Sequence, residues 1–580
     1  MTTQLMTGNE AVARACYEAG VKLVSSYPGT PSTEITENVA KYDEVYAEWA
    51  PNEKVALEVA IGASIIGARS LAAMKHVGLN VAADPLFTIA YGGVNGGLVV
   101  VSADDPGMHS SQNEQDNRLM GRAAGVPVLE PSHSAEALEF TKTAFSLSER
   151  FDMPFIIRLT TRTAHASSLV SLSERQEKPL IPYKKNEKKF VMMPAHARPR
   201  HLDLEERLAS FMAYVEGCGL NRIEWRDKKI GVICSGAVYN YVKEALPCAS
   251  ILKIGVSYPL PARMFKEFAA GVRKLYVIEE LEPMMEQFAC SLGIKCQGKE
   301  LFSKAGEIMP WDIAAKIGGK EQAPLSIPAD IPARPPVMCA GCPHRGLFYL
   351  LGKHKLVVSG DIGCYTLACS PPLSAMDTTI CMGASIGVAH GMEKAAGGDI
   401  SKHTVAVLGE STFLHSGMTG LLNVVYNQSK VTTIILDNSI TAMTGHQHNP
   451  ASGKNAKGQP APAVNFEQLC RAIGVQKVLV ADPYDLTATE AALQECLDFD
   501  GPAVLITRRP CALLVKELPA APLVVDNKNC TGCKACLKLG CPALGINAEG
   551  KAFIEQSQCV RCGLCAEVCR FDAITKGAAQ

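Results

Sequence analysis

The sequence predicts a multidomain α/β protein that ends in a small, cysteine-rich α+β domain. The chain has 580 residues, which is too many for one hydrophobic core. Helical and strand-like patterns alternate over most of this length, as they do in α/β domains. The C-terminal region differs, because it holds two short runs of closely spaced cysteines. We therefore expect several α/β domains followed by a metal-binding domain.

The composition excludes several functional classes. A formal net charge of -1 and an isoelectric point near 6.9 predict no basic surface, so neither nucleic acid nor an anionic membrane is an expected partner. No apolar run is long enough to cross a membrane, and the N-terminus lacks the apolar core of a signal peptide, which predicts a cytoplasmic protein. The 22 cysteines then favour metal thiolates over disulfides and indicate a cell with little oxygen.

The first predicted domain spans residues 1–190. An amphipathic helix is expected at residues 9–19, and short apolar runs at 98–102 and 155–159 predict buried strands. Residues 191–225 are richer in charge and proline, which predicts a connecting arm.

A second, smaller α/β domain is predicted at residues 226–322, with strands at 230–234 and 274–278. Five prolines then fall within residues 323–336. This density predicts a linker, because proline fixes the backbone and cannot donate a hydrogen bond to a sheet.

The third predicted domain spans residues 337–518. It contains strand-like runs at 405–408, 432–436 and 503–507, with helical patterns between them. That order predicts a mostly parallel sheet. Residues 519–580 form the cysteine-rich C-terminal domain.

The two cysteine runs have the spacing that binds a pair of [4Fe-4S] clusters. In each run three cysteines lie close enough to reach one cluster, and a more distant fourth cysteine reaches the other cluster. The expected ligands are Cys530, Cys533, Cys536 and Cys569 for the first cluster, and Cys541, Cys559, Cys562 and Cys565 for the second. This pattern predicts a ferredoxin-like domain that transfers electrons. Two zinc sites or a disulfide scaffold are alternatives, but zinc sites are built from paired CxxC motifs.

Polar residues at the ends of two neighbouring strands predict a phosphate and metal site in the third domain. Gly409, Glu410 and Ser411 follow one strand, and Asn438 follows the next. In a βαβ unit both positions lie at the carboxyl edge of the sheet, where ligands bind, and the start of the helix favours a phosphate group. Side-chain oxygens of Glu410 and Asn438, with a backbone carbonyl near Ile440, suit magnesium. A surface turn is the alternative.

Four local sequences resemble those of the thiamine diphosphate-dependent 2-oxoacid:ferredoxin oxidoreductases, and the resemblance covers essentially the whole chain. They are Tyr27-Pro28-Gly29-Thr30-Pro31-Ser32, Glu58-Val59-Ala60-Ile61-Gly62-Ala63, Met338-Cys339-Ala340-Gly341-Cys342-Pro343-His344-Arg345 and Met443-Thr444-Gly445-His446-Gln447. The loop at Glu410 is similar to the Gly-Asp-Gly and Asn motif that binds thiamine diphosphate. Here Glu410 replaces the aspartate and Ser411 replaces the second glycine.

The resemblance implies two thiamine-binding domains with parallel sheets, separated by a domain similar to the C-terminal domain of transketolase. The first would bind the aminopyrimidine ring through Glu58, and the third would bind the diphosphate with Mg²⁺. A charge near the start of a helix is the alternative for Glu58. Thr30 matches a threonine that contacts the substrate, and a turn with a helix cap is the alternative. Arg118 is a candidate for binding the substrate carboxylate, because arginine offers a planar fork. A solvated charge cluster is the alternative for Arg118.

A third cluster is implied by four further cysteines. They match the positions that hold a cluster near the thiamine in relatives: Cys339, Cys342, Cys364 and Cys511. Cys369 and Cys381 are nearby alternatives, and zinc or plain buried thiols remain open.

The implied activity is the oxidative decarboxylation of indolepyruvate and similar arylpyruvates to aryl-acetyl-CoA. Coenzyme A would be the co-substrate, ferredoxin would receive the electrons, and a smaller beta subunit would complete a hetero-oligomer. Three alternatives stay open. They are an oxidoreductase for another 2-oxoacid, a non-catalytic iron–sulfur electron-transfer subunit, and a thiamine-dependent decarboxylase that releases an aldehyde.

Overall fold

A computed structural model describes residues 2–319, 331, 334–396, 398–519 and 521–577. The chain divides into two compact units, Met1–Pro328 and Ala329–Gln580, and each is described by itself. In the described part of the chain, no helix is both long enough and apolar enough to cross a membrane.

The first unit is built from thirteen strands and fourteen helices in its described residues. The strands are β1 (Thr3–Thr7), β2 (Leu23–Ser26), β3 (Tyr46–Trp49), β4 (Ser70–Lys75), β5 (Leu98–Asp104), β6 (Val128–Leu129), β7 (Phe155–Thr160), β8 (Ser167–Ser171), β9 (Arg222–Glu224), β10 (Asp227–Ser235), β11 (Ala249–Ile254), β12 (Val256–Tyr258) and β13 (Lys274–Ile278). The helices are α1 (Gly8–Glu18), α2 (Thr33–Val39), α3 (Glu53–Ile65), α4 (His76–Val81), α5 (Ala83–Gly92), α6 (Asn117–Ala124), α7 (Ser134–Phe151), α8 (Thr161–His165), α9 (Glu187–Phe190), α10 (Pro194–Val215), α11 (Val238–Ala245), α12 (Ala262–Ala270), α13 (Met284–Ser291) and α14 (Pro310–Lys316).

A seven-stranded sheet forms the centre of the first unit, with the strand order β12-β6-β7-β5-β4-β2-β3. All its pairings are parallel except that of β12 with β6. Every residue of β5 and β7 is buried, as expected for central strands that are covered by helices on both faces. The α/β prediction and the helix expected at residues 9–19 are confirmed by this sheet and by α1.

The connecting arm predicted at residues 191–225 is wrong as a structural description. Most of that segment is the 22-residue helix α10. Its apolar residues recur every three or four positions and pack into the core of the large sheet: Leu204, Leu208, Phe211 and Val215. Of the prolines that suggested an arm, Pro194 is the first residue of the helix, where the lack of an N–H group costs little, whereas Pro199 lies inside the helix.

A smaller sheet follows in the same unit, with the strand order β13-β10-β11-β9. The strands predicted at 230–234 and 274–278 are confirmed as β10 and β13. The predicted domain boundaries do not hold for two short strands. β9, placed in the arm, joins this smaller sheet, whereas β12 leaves the second domain and pairs with β6 of the first.

The second unit contains nine strands and seven α-helices in its described residues. The strands are β14 (Val357–Ser359), β15 (Thr404–Gly409), β16 (Thr432–Asp437), β17 (Lys477–Ala481), β18 (Ala503–Arg508), β19 (Leu523–Val525), β20 (Leu544–Ile546), β21 (Ala552–Ile554) and β22 (Ile574–Lys576). The helices are α15 (His344–Lys353), α16 (Ala384–Ala396), α17 (Glu410–Thr412), α18 (Met418–Tyr426), α19 (Phe466–Ile473), α20 (Leu486–Leu497) and α21 (Leu564–Glu567).

A five-stranded, fully parallel sheet carries the second unit, with the order β14-β15-β16-β18-β17. This confirms the parallel sheet and the three strands predicted for the third domain. A π-helical turn at Phe413–Gly417 joins α17 to α18, so the chain after β15 is helical from its first residue.

The C-terminal segment forms two small antiparallel pairs, β19 with β22 and β20 with β21. Apolar residues and cysteines share its core. Of the predicted Pro-rich linker, Pro324, Pro328 and Pro332 lie outside the described residues, while Pro335 and Pro336 are in extended chain without regular structure.

Candidate cofactor sites

The carboxyl edge of the large sheet gathers polar residues from four adjacent strands. Thr30 follows β2, Glu53 follows β3, Lys75 ends β4 and Asp105 follows β5. Because these strands are parallel and adjacent in the order β5-β4-β2-β3, their carboxyl ends meet at one edge of the sheet. Open α/β sheets bind ligands at that edge.

Thr30 lies in the loop after β2. Its carbonyl oxygen accepts a hydrogen bond from the Ser110 hydroxyl at 3.3 Å. The cap of the following helix α2 is Ser32, not Thr30, and it makes no side-chain capping bond. Thr30 is therefore not the N-terminal cap of helix α2, which was the alternative explanation for this residue.

Glu58 and Glu53 lie on the same helix but in different environments. The Glu58 side chain is 44% exposed and forms an ion pair with Lys54, one turn earlier. Glu53 is only 4% exposed and stands in the first turn of α3, after the cap residue Asn52. It packs so tightly on α4 that a Cβ atom added at Gly78 would lie 2.6 Å from the Glu53 Oε1 atom.

The sequence analysis missed Glu53 because two glutamates occur five residues apart on one helix. A signal was present in the sequence, since Asn52 is a strong helix cap and places Glu53 at the start of the helix.

Arg118 is not in an open site. Its side chain is 1% exposed and forms ion pairs with Asp116 at 2.6 Å and with Glu279 at 2.8 Å. It also donates to the carbonyl oxygens of Glu280 and Glu282 at 3.2 and 3.0 Å. The guanidinium is thus enclosed by protein partners and is not open to a substrate carboxylate, nor is it the solvated charge cluster of the alternative interpretation.

The second unit presents Gly409, Glu410 and Ser411 directly after β15. The Gly409 N–H donates to the Tyr365 hydroxyl at 3.0 Å, and all three residues are buried. Asn449 holds the Glu410 carboxylate through a hydrogen bond of 3.1 Å and the Thr441 hydroxyl through another of 3.1 Å. Thr441 in turn donates to the Ser411 hydroxyl at 3.1 Å.

The Glu410 carboxylate, the Asn438 side-chain amide and the Ile440 carbonyl converge beside this loop. One terminal atom of the Asn438 amide lies 3.1 and 3.2 Å from the two Glu410 carboxylate oxygens and 2.8 Å from the Ile440 carbonyl oxygen. Because all three neighbours are acceptors, this atom is the amide nitrogen when no cation is bound, whereas a cation among these groups would favour the amide oxygen in that position. The separations match the edge of a magnesium octahedron, about 2.9 Å for ligand distances of 2.0–2.1 Å.

The electrostatics of this loop also favour a cation. Burial and the neighbouring Asp437 carboxylate raise the pKa of Glu410 to about 8. A bound divalent cation would stabilise the charged carboxylate at neutral pH. The residues predicted as Mg²⁺ ligands are therefore brought together, and they fit the ion.

The eight cysteines of the C-terminal runs line two cavities in the crossed arrangement that the spacing predicts. One cavity is lined by Cys530, Cys533, Cys536 and Cys569. The other is lined by Cys541, Cys559, Cys562 and Cys565. Burial and neighbouring thiols raise the pKa of Cys565 to about 12. At neutral pH such a thiol is protonated when no metal is bound, and iron would stabilise its thiolate form. Four cysteine sulfur atoms around one cavity are the ligand set of a cubane cluster, so these residues fit such a cluster.

The four cysteines of the suggested third cluster also share one neighbourhood. Cys364 interacts electrostatically with Cys511 and Cys339, and Cys342 interacts with Cys364 and Cys339. Burial raises the pKa of Cys342 to about 12 and that of Cys364 to about 11. The alternatives, Cys369 and Cys381, are both exposed.

Arg345 links this group to the second cysteine cavity. The guanidinium is buried and donates to the carbonyl oxygens of Cys339 at 3.0 Å, Leu539 at 2.9 Å and Gly540 at 2.7 Å, and also to that of Met338. Arg345 itself lines the cavity of the second cysteine set. The segment that carries Cys339 is thus fastened to the ferredoxin-like domain.

Three family models match the chain. "Pyruvate flavodoxin/ferredoxin oxidoreductase, thiamine diP-bdg" matches residues 14–221, "Thiamine pyrophosphate enzyme, C-terminal TPP binding domain" matches 361–507, and "4Fe-4S dicluster domain" matches 522–570. Together with the sites described above, they define a thiamine-dependent, iron–sulfur 2-oxoacid oxidoreductase. This confirms the two thiamine-binding domains and the ferredoxin-like domain of the sequence prediction.

Full-length relatives identify the family. Indolepyruvate oxidoreductase subunit IorA of Archaeoglobus fulgidus is 40% identical, and the match covers 98% of this chain and 97% of the relative. The IorA subunit of Pyrococcus horikoshii is also 40% identical, over 99% of this chain and 96% of the relative. The chain belongs to the IorA family of indolepyruvate oxidoreductase subunits.

One solved structure is similar at a lower level. It is a 2-oxoglutarate:ferredoxin oxidoreductase from Magnetococcus marinus with 2-oxoglutarate, coenzyme A and succinyl-CoA bound. It is 17% identical, covers 55% of this chain and 65% of that chain, and has a TM-score of 0.46. That similarity is too low to carry a functional argument.

Proposed function

We propose that the protein oxidatively decarboxylates indolepyruvate and similar arylpyruvates to aryl-acetyl-CoA, together with a smaller second subunit, and passes the electrons to ferredoxin. The observation that carries the proposal is the convergence of the Glu410 carboxylate, the Asn438 side-chain amide and the Ile440 carbonyl. These groups would hold Mg²⁺ in the same unit as the two cysteine cavities. An electron-transfer subunit without thiamine chemistry has no use for such a site.

Glu410, Asn438 and the Ile440 carbonyl would hold Mg²⁺, and the ion would hold the diphosphate. Gly409 and Ser411 would lie against the phosphate groups, where the start of the helix after β15 favours negative charge. Thiamine diphosphate, when bound, supplies the carbanion chemistry that releases CO₂ from a 2-oxoacid. The chain would fix the cofactor and keep water from it.

We assign the carboxylate that contacts the aminopyrimidine ring to Glu53 rather than to Glu58. This carboxylate must hold a proton on the ring, and such a hydrogen bond is stronger where water is excluded. Glu53 is buried at the carboxyl edge of the sheet, whereas Glu58 is solvent-exposed and paired with Lys54. Thr30, on the loop after the adjacent strand β2, would contact the substrate.

The cysteine sets would carry the electrons away one at a time. The two cavities of the ferredoxin-like domain would each hold a [4Fe-4S] cluster. Cys339, Cys342, Cys364 and Cys511 would hold a third cluster, which Arg345 connects through the backbone to the second. One-electron steps suit ferredoxin as the acceptor.

The arylpyruvate substrate is supported by the names of the full-length relatives, which are indolepyruvate oxidoreductase subunits. Their designation as subunits supports a hetero-oligomer with a smaller partner. Coenzyme A as the acyl acceptor rests on the family resemblance of the sequence.

Iron, sulfide and thiamine contents of the anaerobically purified complex test the proposal. Three clusters predict about twelve irons per chain with one thiamine diphosphate, and two clusters predict about eight. Eight irons without thiamine at any added concentration would refute the enzyme proposal and favour the electron-transfer subunit. Aldehyde release without coenzyme A or an electron acceptor would favour the simple decarboxylase.

A further inference from the structure

Lys75 is a half-buried cation whose ammonium group is hydrogen-bonded only to a backbone carbonyl in the described residues. It ends β4, the strand between β2 and β5, at the carboxyl edge of the large sheet. Its ammonium group donates to the Ser110 carbonyl oxygen at 2.9 Å. A lysine has three donors, so two remain for another partner. Within the described residues, no carboxylate lies within ion-pair distance of this group.

The nearby carboxylate of Asp105 is already satisfied without Lys75. It accepts hydrogen bonds from the Ser110 N–H at 2.8 Å, the Ser111 hydroxyl at 2.7 Å and the Thr161 hydroxyl at 2.6 Å. Burial lowers the pKa of Lys75 to about 8, while Asp105 and Glu53 act in the opposite direction. A half-buried ammonium in this position gains from an anionic ligand, because water solvates it poorly.

The stem of Lys75 is held in place by the loop that carries Thr30. A Cβ atom added at Gly29 would lie 3.2 Å from the Lys75 Cγ atom, so the backbone of this loop packs directly on the side chain. The same loop receives the Ser110 hydroxyl at the Thr30 carbonyl. Lys75 and Thr30 therefore belong to one packed group at the edge of the sheet.

The other cations described near this edge are committed to protein partners. Arg118 is buried between Asp116 and Glu279. Arg162 forms a two-pronged ion pair with Glu307, at 2.6 and 2.7 Å. His165 lies 3.6 Å from Glu34. An incoming anion would find its partner in Lys75.

We propose that Lys75 binds the carboxylate of the 2-oxoacid substrate, the role that the sequence analysis gave to Arg118. The proposal rests on the proposed function, because it places the substrate beside Glu53 and Thr30. An ammonium group can hold a carboxylate by charge and two hydrogen bonds without fixing the plane of the carboxylate. Lys75 would thus act at the step before CO₂ leaves.

Substituting Lys75 in the complete enzyme, with its partner subunit, tests this role. For Lys75→Met we expect kcat/KM for indolepyruvate to fall by about 10- to 100-fold, as for the loss of a charged hydrogen bond, while the KM for coenzyme A stays unchanged. Lys75→Arg keeps the charge and should recover part of the loss. Lys41→Met removes one positive charge from an exposed side chain of the same unit and serves as the matched control.

Direct binding gives a second readout that does not need turnover. Calorimetry should show that 3-phenylpropionate binds the wild-type complex more tightly than the neutral 3-phenylpropionamide does, and that Lys75→Met removes the difference. Equal affinities of the wild-type complex for the two compounds, or an unchanged preference in Lys75→Met, would overturn the role of Lys75. The role would also be overturned if Lys75→Met lowered the melting temperature and lowered kcat/KM to the same extent for indolepyruvate and for coenzyme A. Lys75 would then have a structural role only.

The two proposals fail differently. If the wild-type complex binds no thiamine diphosphate and does not reduce ferredoxin with a 2-oxoacid, the proposed function fails. If the wild-type complex is active and Lys75→Met keeps its kcat/KM for indolepyruvate, only the role of Lys75 fails.

Discussion

Two matched substitutions on helix α3 test which glutamate serves the cofactor. Glu53→Gln and Glu58→Gln remove the same charge from positions five residues apart. Glu53 is 4% exposed and packs against α4, while the Glu58 side chain is 44% exposed and contacts Lys54. The two side chains therefore differ in environment more than in chemistry.

We expect Glu53→Gln to lower kcat by about 10²- to 10⁴-fold, the usual contribution of a positioned acid or base. Glu58→Gln should change kcat by no more than about twofold, because exposed substitutions away from a site shift free energies by about 0.5 kcal/mol or less. The assay is anaerobic reduction of ferredoxin by indolepyruvate, at saturating thiamine diphosphate and coenzyme A.

Iron content and melting temperature of both variants must match the wild type, so that a loss of activity reports on the site. Loss of activity in Glu58→Gln with full activity in Glu53→Gln would refute the argument from burial. It would return the cofactor carboxylate to the residue chosen from the sequence.

Three further predictions address the second unit and the core of the first. Asn449→Ala should weaken Mg²⁺-dependent binding of thiamine diphosphate by about 10- to 100-fold, because Asn449 donates a hydrogen bond to the Glu410 carboxylate. Asn455→Ala, on an exposed loop, should leave this affinity unchanged. Calorimetry on the complex measures both affinities, and equal values for the two variants would contradict the Mg²⁺ assignment. Cys565→Ser should remove about four irons per chain, while Cys248→Ser, an exposed thiol elsewhere, should remove none; unchanged iron in Cys565→Ser would exclude this residue as a ligand. Phe211→Ala should destabilise the chain by about 3–5 kcal/mol, because this fully buried ring packs edge-on against Phe151 and Phe155, with ring centroids 5.1 Å apart in both pairs. An unchanged melting transition would show that α10 is not part of the core.

Regular features of the chain were predictable from the sequence. Strand β13 was predicted at its observed limits, because a short apolar run between polar turns is typical of a buried strand. The grouping of the eight C-terminal cysteines was predicted from spacing alone, and the same two groups line the two cavities. Helix α10 was missed because its prolines and charges hid an apolar stripe that becomes visible only at a period of three to four residues.

Two residue assignments in the site could not be predicted from the sequence, because they depend on which of two similar side chains is buried. Arg118 and Lys75 are both cations in the first unit, and only the structure shows that Arg118 is enclosed by Asp116 and Glu279. Glu53 and Glu58 likewise differ in exposure, not in residue type. Long-range packing decides these cases, and a single sequence carries little information about it.

The most direct test of the central claim is an electron paramagnetic resonance experiment on the anaerobic complex. Indolepyruvate, added without any other reductant, should produce the signals of reduced [4Fe-4S] clusters only when thiamine diphosphate and Mg²⁺ are present. The signals should be lost in Glu53→Gln, whose clusters remain reducible by dithionite. Cluster reduction by indolepyruvate without thiamine diphosphate, or none with it, would contradict the account.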